Sequence, residues 1–118
     1  MGDYHKEKLI NLGVDIEEGI ERFVGNESMY IKFLVKFKDD TTFETLKKSV
    51  ESGSNEEIYR RAHTLKGIAG NLSIKSIYKK SIDIMDCVRN NNENIKNQME
   101  ELDKDYNRIV EELKSIEI

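Results

Sequence analysis

The sequence predicts an all-α protein: an up-and-down four-helix bundle with short additional helices at its N-terminus. Three observations lead there. The 118 residues include no proline and only 7 glycines, so little interrupts a helix. Apolar residues recur three and four apart in successive segments, which is the spacing of one helix face. Cap and turn residues separate these segments at short intervals, and short loops favour antiparallel neighbours.

The elements follow in order. Residues 1–13 carry a weak pattern (Tyr4, Leu9, Ile10, Leu12) and read as a loose N-terminal segment. Asp15 caps a short piece with apolar positions Ile16, Ile20, Phe23 and Val24, stopping at Gly25-Asn26. Tyr30, Phe33, Leu34 and Phe37 make the next helical face, interrupted at Asp39-Asp40. Thr41 and Glu44 have capping-box spacing and open a helix with Phe43, Leu46 and Val50 inward. After the loop at residues 52–55, Ser54 and Glu57 offer a second box. The helix they open runs from about Asn55 to Leu72, with Ile58, Ala62, Leu65, Ala69 and Leu72 on one stripe. Ser73 is expected to cap the following helix, placing Ile74, Ile77, Ile84 and Val88 inward as far as Asn90-Asn91-Asn92. The last segment alternates by four and three through Ile95, Met99, Leu102, Tyr106, Ile109, Leu113 and Ile116. That pattern suits a coiled-coil seam, but the amphipathic helices before it make a bundle closed within one chain simpler.

Composition narrows the function. Nineteen basic against 23 acidic side chains give a net charge of -4, which disfavours nucleic acid as a partner. No apolar run approaches the ~18 residues of a membrane span, so no membrane association is expected. The one cysteine, Cys87, excludes an internal disulfide and fits a reducing cytoplasm; it reads as a small helix residue rather than a reactive thiol. His5 reads as incidental. The run Glu100-Glu101, Asp103, Asp105, Glu111-Glu112 reads as a solvated face. A single monomeric domain over residues 1–118 is the expectation.

One segment does not look like pure packing: Ala62-His63-Thr64-Leu65-Lys66-Gly67-Ile68-Ala69-Gly70-Asn71-Leu72. Each glycine inside a helix costs ~1 kcal/mol relative to alanine, a loss that usually reflects close approach to the backbone. At about 100° per residue, His63, Lys66, Gly67 and Gly70 group roughly 130° from the apolar stripe, on the solvent side. Tyr59, one turn earlier, falls on the same side, where it reads equally as an aid to partner docking or as an edge-of-core tyrosine. A neutral imidazole near pH 7 offers a lone pair for nucleophilic attack, and Lys66 can offset the charge of an arriving phosphoryl group. The glycines leave room for phosphoryl oxygens and a partner's loop. No carboxylate stands three or four residues before His63, so no base, metal ligand or triad partner is visible locally. The site reads as a carrier rather than a catalyst. The GxxG within Lys66–Gly70 also occurs in KH domains, but that fold needs strands.

At Ala62, His63, Leu65, Lys66, Gly67, Ala69 and Gly70 the chain resembles a histidine-containing phosphotransfer (HPt) domain, the carrier of multistep phosphorelays. Gly19-Ile20 is similar to that family's short acidic segment ending in Gly-Leu, and Phe37 to its hydrophobic-x-x-Phe helix. The resemblance spans roughly residues 13 to 90. It departs at Ser73, where many members carry Gly. It departs again at Ile84-Met85-Asp86, where many carry Gln or Glu near the phosphorylation site.

The resemblance implies a helical phosphocarrier. His63 would accept a phosphoryl group from a receiver-domain aspartate or a sensor histidine kinase, hybrid kinases included, and Lys66 would stabilise its charge. Gly67, Gly70 and Tyr59 would form the partner-docking face. It also implies that the receiver supplies Mg²⁺, so no cofactor or metal is expected here, nor autonomous kinase activity. Two other readings stand beside it: an adaptor that docks a receiver without transferring phosphate, and the histidine module of a chemotaxis-type kinase. The last requires kinase domains after Ile118, where the chain is expected to end.

Overall fold

The computed structural model describes residues 1–91 and 93–117. Among these residues every regular element is helical: α1 (Asp3–Asn11), α2 (Ile16–Arg22), α3 (Glu27–Lys36), α4 (Thr42–Ser52), α5 (Asn55–Asn71), α6 (Lys75–Arg89) and α7 (Ile95–Lys114). A 3₁₀ turn, Phe37–Asp39, follows α3. Asn92, the end of the expected Asn90–Asn92 stop, and Ile118 lie outside the described residues.

Helices α4 to α7 form the expected four-helix bundle, each packed on the next, with α7 closing against α4. Their inward stripes supply the core: Phe43 and Leu46, then Ile58, Ala62, Leu65 and Ala69, then Ile77 and Ile84, then Leu102, Ile109 and Leu113, all buried. Each fully buried Leu or Ile contributes ~1.5–3 kcal/mol by leaving water. The Tyr106 ring stacks on Phe43 at 4.0 Å and meets Phe37 edge-on at 5.8 Å, tying α7 to α4 and to the end of α3.

Several local expectations need correction. Residues 1–13 are not loose. Leu9 of α1 is fully buried in the core, and His5 Nδ1 lies 2.6 Å from Glu112 Oε2 on α7. Glu112, only 9% exposed, therefore leaves the solvated acidic face, and His5 gains a structural contact. Thr41 makes no side-chain cap on α4; Asp40 accepts from the Thr42 N–H at 2.8 Å instead. Ser54 does cap α5, accepting from the Glu57 N–H, but the Glu57 carboxylate turns to Arg60 and Arg61. Phe33, expected on the inner face of α3, is 45% exposed, while Ile31 and Val35 are buried.

Ser73 does not cap α6. It sits at φ +56° just past the end of α5, where the Ile74 N–H donates to Ala69 O and the Ser73 N–H to Gly70 O. That pair of bonds is a Schellman ending, which places its penultimate residue in the left-handed region where glycine is easiest. The Ser73 hydroxyl is consequently turned toward Glu18 Oε1, 3.1 Å away, and the α6 N-cap falls to Ile74 without a side-chain bond. The same ending closes α2, with Val24 at φ +54° and 96% exposed. Val24 is thus outside the helix and outside the core.

The α5–α6 turn is clamped from the N-terminal side. The Asp15 N–H donates to Ser73 O and the Ser76 N–H to Gly13 O. The Tyr30 hydroxyl donates to Leu72 O at 2.8 Å. Lys75 reaches Glu18 Oε2 at 2.7 Å; with Arg22 it holds the Glu18 carboxyl down at about 2. Tyr30 can reach Leu72 because Gly19 lies under its ring: a Cβ there would be 2.1 Å from the ring.

Candidate functional site

The helix α5 carries the candidate site because its two faces differ completely. Ala62, Leu65 and Ala69 are buried against the bundle, whereas His63 and Gly67 are exposed and Lys66 and Gly70 half-buried on the outer side. The expected grouping of His63, Lys66 and Gly67 is therefore present on solvent-facing turns of one helix. Neither the imidazole nor the Lys66 ammonium has a hydrogen bond, ion pair or ring contact among the described residues. The nearby cations are engaged differently. Arg60 and Arg61 both hold Glu57, and the Arg60 hydrogen bond, seconded by Arg61, keeps its carboxyl below the usual carboxylate range. Lys66 is thus left available to a charge arriving beside His63.

The two glycines have different reasons. A Cβ at Gly67 would meet nothing within 4 Å among the described residues, so none of them requires glycine there. A Cβ at Gly70 would lie 3.3 Å from the ring of Tyr78 on α6, tighter than ordinary contact. Gly67 is the open floor beside the histidine, and Gly70 seats an aromatic ring. Tyr59 belongs partly to its own contact: Arg89, at the end of α6, donates to its hydroxyl and lies over its ring at 5.2 Å.

These two cross-helix contacts fix the register of α5 against α6. Seven residues back from Gly70 is His63, and seven on from Tyr78 is Met85; counting from Tyr59 and Arg89 gives the same pairing. Met85 is thus level with His63 on the neighbouring helix. It is buried, and a thioether is a weak acceptor with no proton to donate. The α6 residue level with the imidazole is therefore apolar in this chain.

On the other flank of α5 a groove of about 370 Å³ runs between Phe23, Phe33 and Phe37 and the residues Ile68, Asn71 and Leu72 at the C-terminal end of that helix. It begins one residue beyond Gly67. Sequence reasoning missed both Tyr78 and this groove. Tyr78 needed the α5–α6 register, which the Ser73 turn sets; Phe33 looked inward because one residue decides which edge of a helix stripe faces solvent. A larger groove, about 740 Å³ between α1 and α7, has no residue in common with this face. Among the described residues no group of three His, Cys, Asp or Glu side chains is placed to hold a metal ion.

Against known protein families, the Hpt domain matches residues 33–116. The chain belongs to the Hpt family. The match takes in α4 to α7 and His63, begins near the end of α3, and leaves α1 and α2 outside, so it lies further along the chain than the resemblance over 13 to 90. Comparison with curated proteins and with solved structures gives no match. An Hpt domain works in phosphotransfer within a phosphorelay, together with receiver domains of response regulators. No helix of the described residues is long and apolar enough to cross a membrane. Burial pushes the Cys87 thiol up, against a reactive role.

Proposed function

We propose that this Hpt domain, as one monomeric unit, carries a phosphoryl group on His63. The donor is an aspartyl phosphate of a receiver domain, or a sensor kinase, and the acceptor is another receiver. The observation that carries the reading is the exposed imidazole beside Lys66 and an open Gly67. A lone pair on the outer ring nitrogen, Nε2, forms the P–N bond. The P–O bond to the aspartyl carboxylate breaks with its electron pair returning to oxygen, and the proton on the other ring nitrogen passes to water. Lys66 offsets phosphoryl charge during transfer. The chain contributes the acceptor and the docking face; Mg²⁺ and the groups around the aspartate belong to the receiver, so the domain is a carrier in the cytoplasm rather than a catalyst. The face comprises Gly67, Gly70 and Tyr59, continued by the groove under Phe33.

Met85 level with His63 favours one competing reading, an adaptor that docks a receiver without accepting phosphate. A screen of phosphorylated receivers from the same genome separates the two. Acid-labile, alkali-stable label appearing on this chain as the receiver loses its own supports the carrier. Stable binding of receivers with no label moving would establish the adaptor.

A further inference from the structure

We propose that Tyr78 forms the α6-side wall of the receiver-docking face and selects which receivers engage His63 productively. The inference rests on the phosphotransfer reading and deepens it. Helix α5 gives up a side chain at Gly70, at a cost of ~1 kcal/mol in helix propensity, and the space is taken by the Tyr78 ring. Packing does not use the whole ring, because Tyr78 remains 37% exposed. Its hydroxyl has no hydrogen-bond partner among the described residues. The result is a flat apolar ring with a free donor, lying against Gly70, two turns along α5 from the acceptor histidine and one turn from the open floor at Gly67. Tyrosines of this kind are enriched where one protein docks on another.

The partner is the receiver rather than some other protein, because the ring rests on Gly70, which shares the outer side of α5 with His63 and Gly67. Anything close enough to place phosphorus on the imidazole approaches a surface bounded by Tyr78 on one flank and by the Phe33 groove on the other. The ring's position is in turn set by Gly70, so the two residues act as a pair. Restoring a Cβ at 70 forces the ring to shift by a few tenths of an ångström while leaving it in place.

The test uses the receivers that label the wild-type chain. KM for phosphorylated receiver, the transfer rate at saturation and the melting temperature are measured for Tyr78→Ala, Tyr78→Phe and Gly70→Ala. Tyr78→Ala is expected to raise KM by about ten-fold for the best receiver, with the saturated rate within about two-fold of wild type. Tyr78→Phe is expected to stay within about three-fold of wild type, and Gly70→Ala to raise KM by less than Tyr78→Ala. Unchanged KM in both Tyr78→Ala and Gly70→Ala would overturn the inference and leave the carrier reading standing. If Tyr78→Ala melts early, Tyr78→Leu, which keeps an apolar side chain against Gly70, takes its place: a raised KM is expected, and an unchanged KM would overturn the inference. A wild-type chain that takes label from no receiver would overturn the carrier reading and this inference together.

Discussion

The Tyr30 hydroxyl donates a 2.8 Å hydrogen bond to the carbonyl of Leu72, the residue that ends the helix carrying His63. The bond is buried, and burial also pushes the Tyr30 phenol up, so it remains a donor at any working pH. Tyr30→Phe leaves that carbonyl without its partner and should cost about 1–3 kcal/mol in denaturant unfolding, with transfer unchanged. A loss below about 0.5 kcal/mol would show that water or another donor replaces the phenol.

Gly67 and Gly19 should respond in opposite directions to the same change. Gly67→Ala should stabilise by up to ~1 kcal/mol, since its Cβ enters open space on a helix interior. Gly19→Ala should destabilise by about 1–3 kcal/mol, because the Tyr30 ring occupies the position of the new atom. Gly67→Gln should melt no lower than wild type while transfer falls sharply, the side chain standing where the partner must enter. A clear drop in its melting temperature would instead make Gly67 a packing residue.

Val24 holds a left-handed conformation that costs a β-branched residue about 1–2 kcal/mol, and its exposed side chain recovers none of it. Val24→Gly should therefore stabilise by about 0.5–1 kcal/mol after the entropy of the freer unfolded chain is subtracted. An unchanged or lower midpoint would mean that the valine makes contacts that offset its strain.

Acid should weaken the clamp on the α5–α6 turn. Lys75 and Arg22 hold the Glu18 carboxyl at about 2, below its ordinary 4.5. A depressed carboxylate contributes stability that is fully present above its unfolded value and is lost as pH falls through the folded one. The stability difference between wild type and Lys75→Gln should thus be constant above about pH 5 and shrink toward pH 2. A difference that stayed the same across that range would assign the Lys75 effect to something other than Glu18.

The bundle was legible because helical periodicity is a dense signal. Every stripe residue expected inward on α5 is buried, and on α7 only Ile95 falls short, being half-buried. The His63 face was legible for the same reason, since residues on one helix share a face by spacing alone. What escaped were relationships across turns. The Schellman role of Ser73, the burial of Glu112 under His5 and the seat that Gly70 provides for Tyr78 each depend on where another element comes to rest. The sequence pattern of a single helix does not carry that information.

Lys66 tests charge separately from packing. Its ammonium has no partner among the described residues, so Lys66→Ala should leave the melting temperature unchanged and slow transfer. An unchanged transfer rate would remove Lys66 from the chemistry.

The most direct measurement concerns His63 itself. Wild type and His63→Gln are incubated with the same phosphorylated receiver, and label is followed on this chain and mapped by mass spectrometry of its peptides. Wild type should carry acid-labile phosphate on the peptide containing His63. His63→Gln should carry none, and should melt with wild type because an exposed imidazole contributes no core packing. Label persisting on the His63→Gln chain, at His5 or elsewhere, would contradict the assignment of His63 as the acceptor.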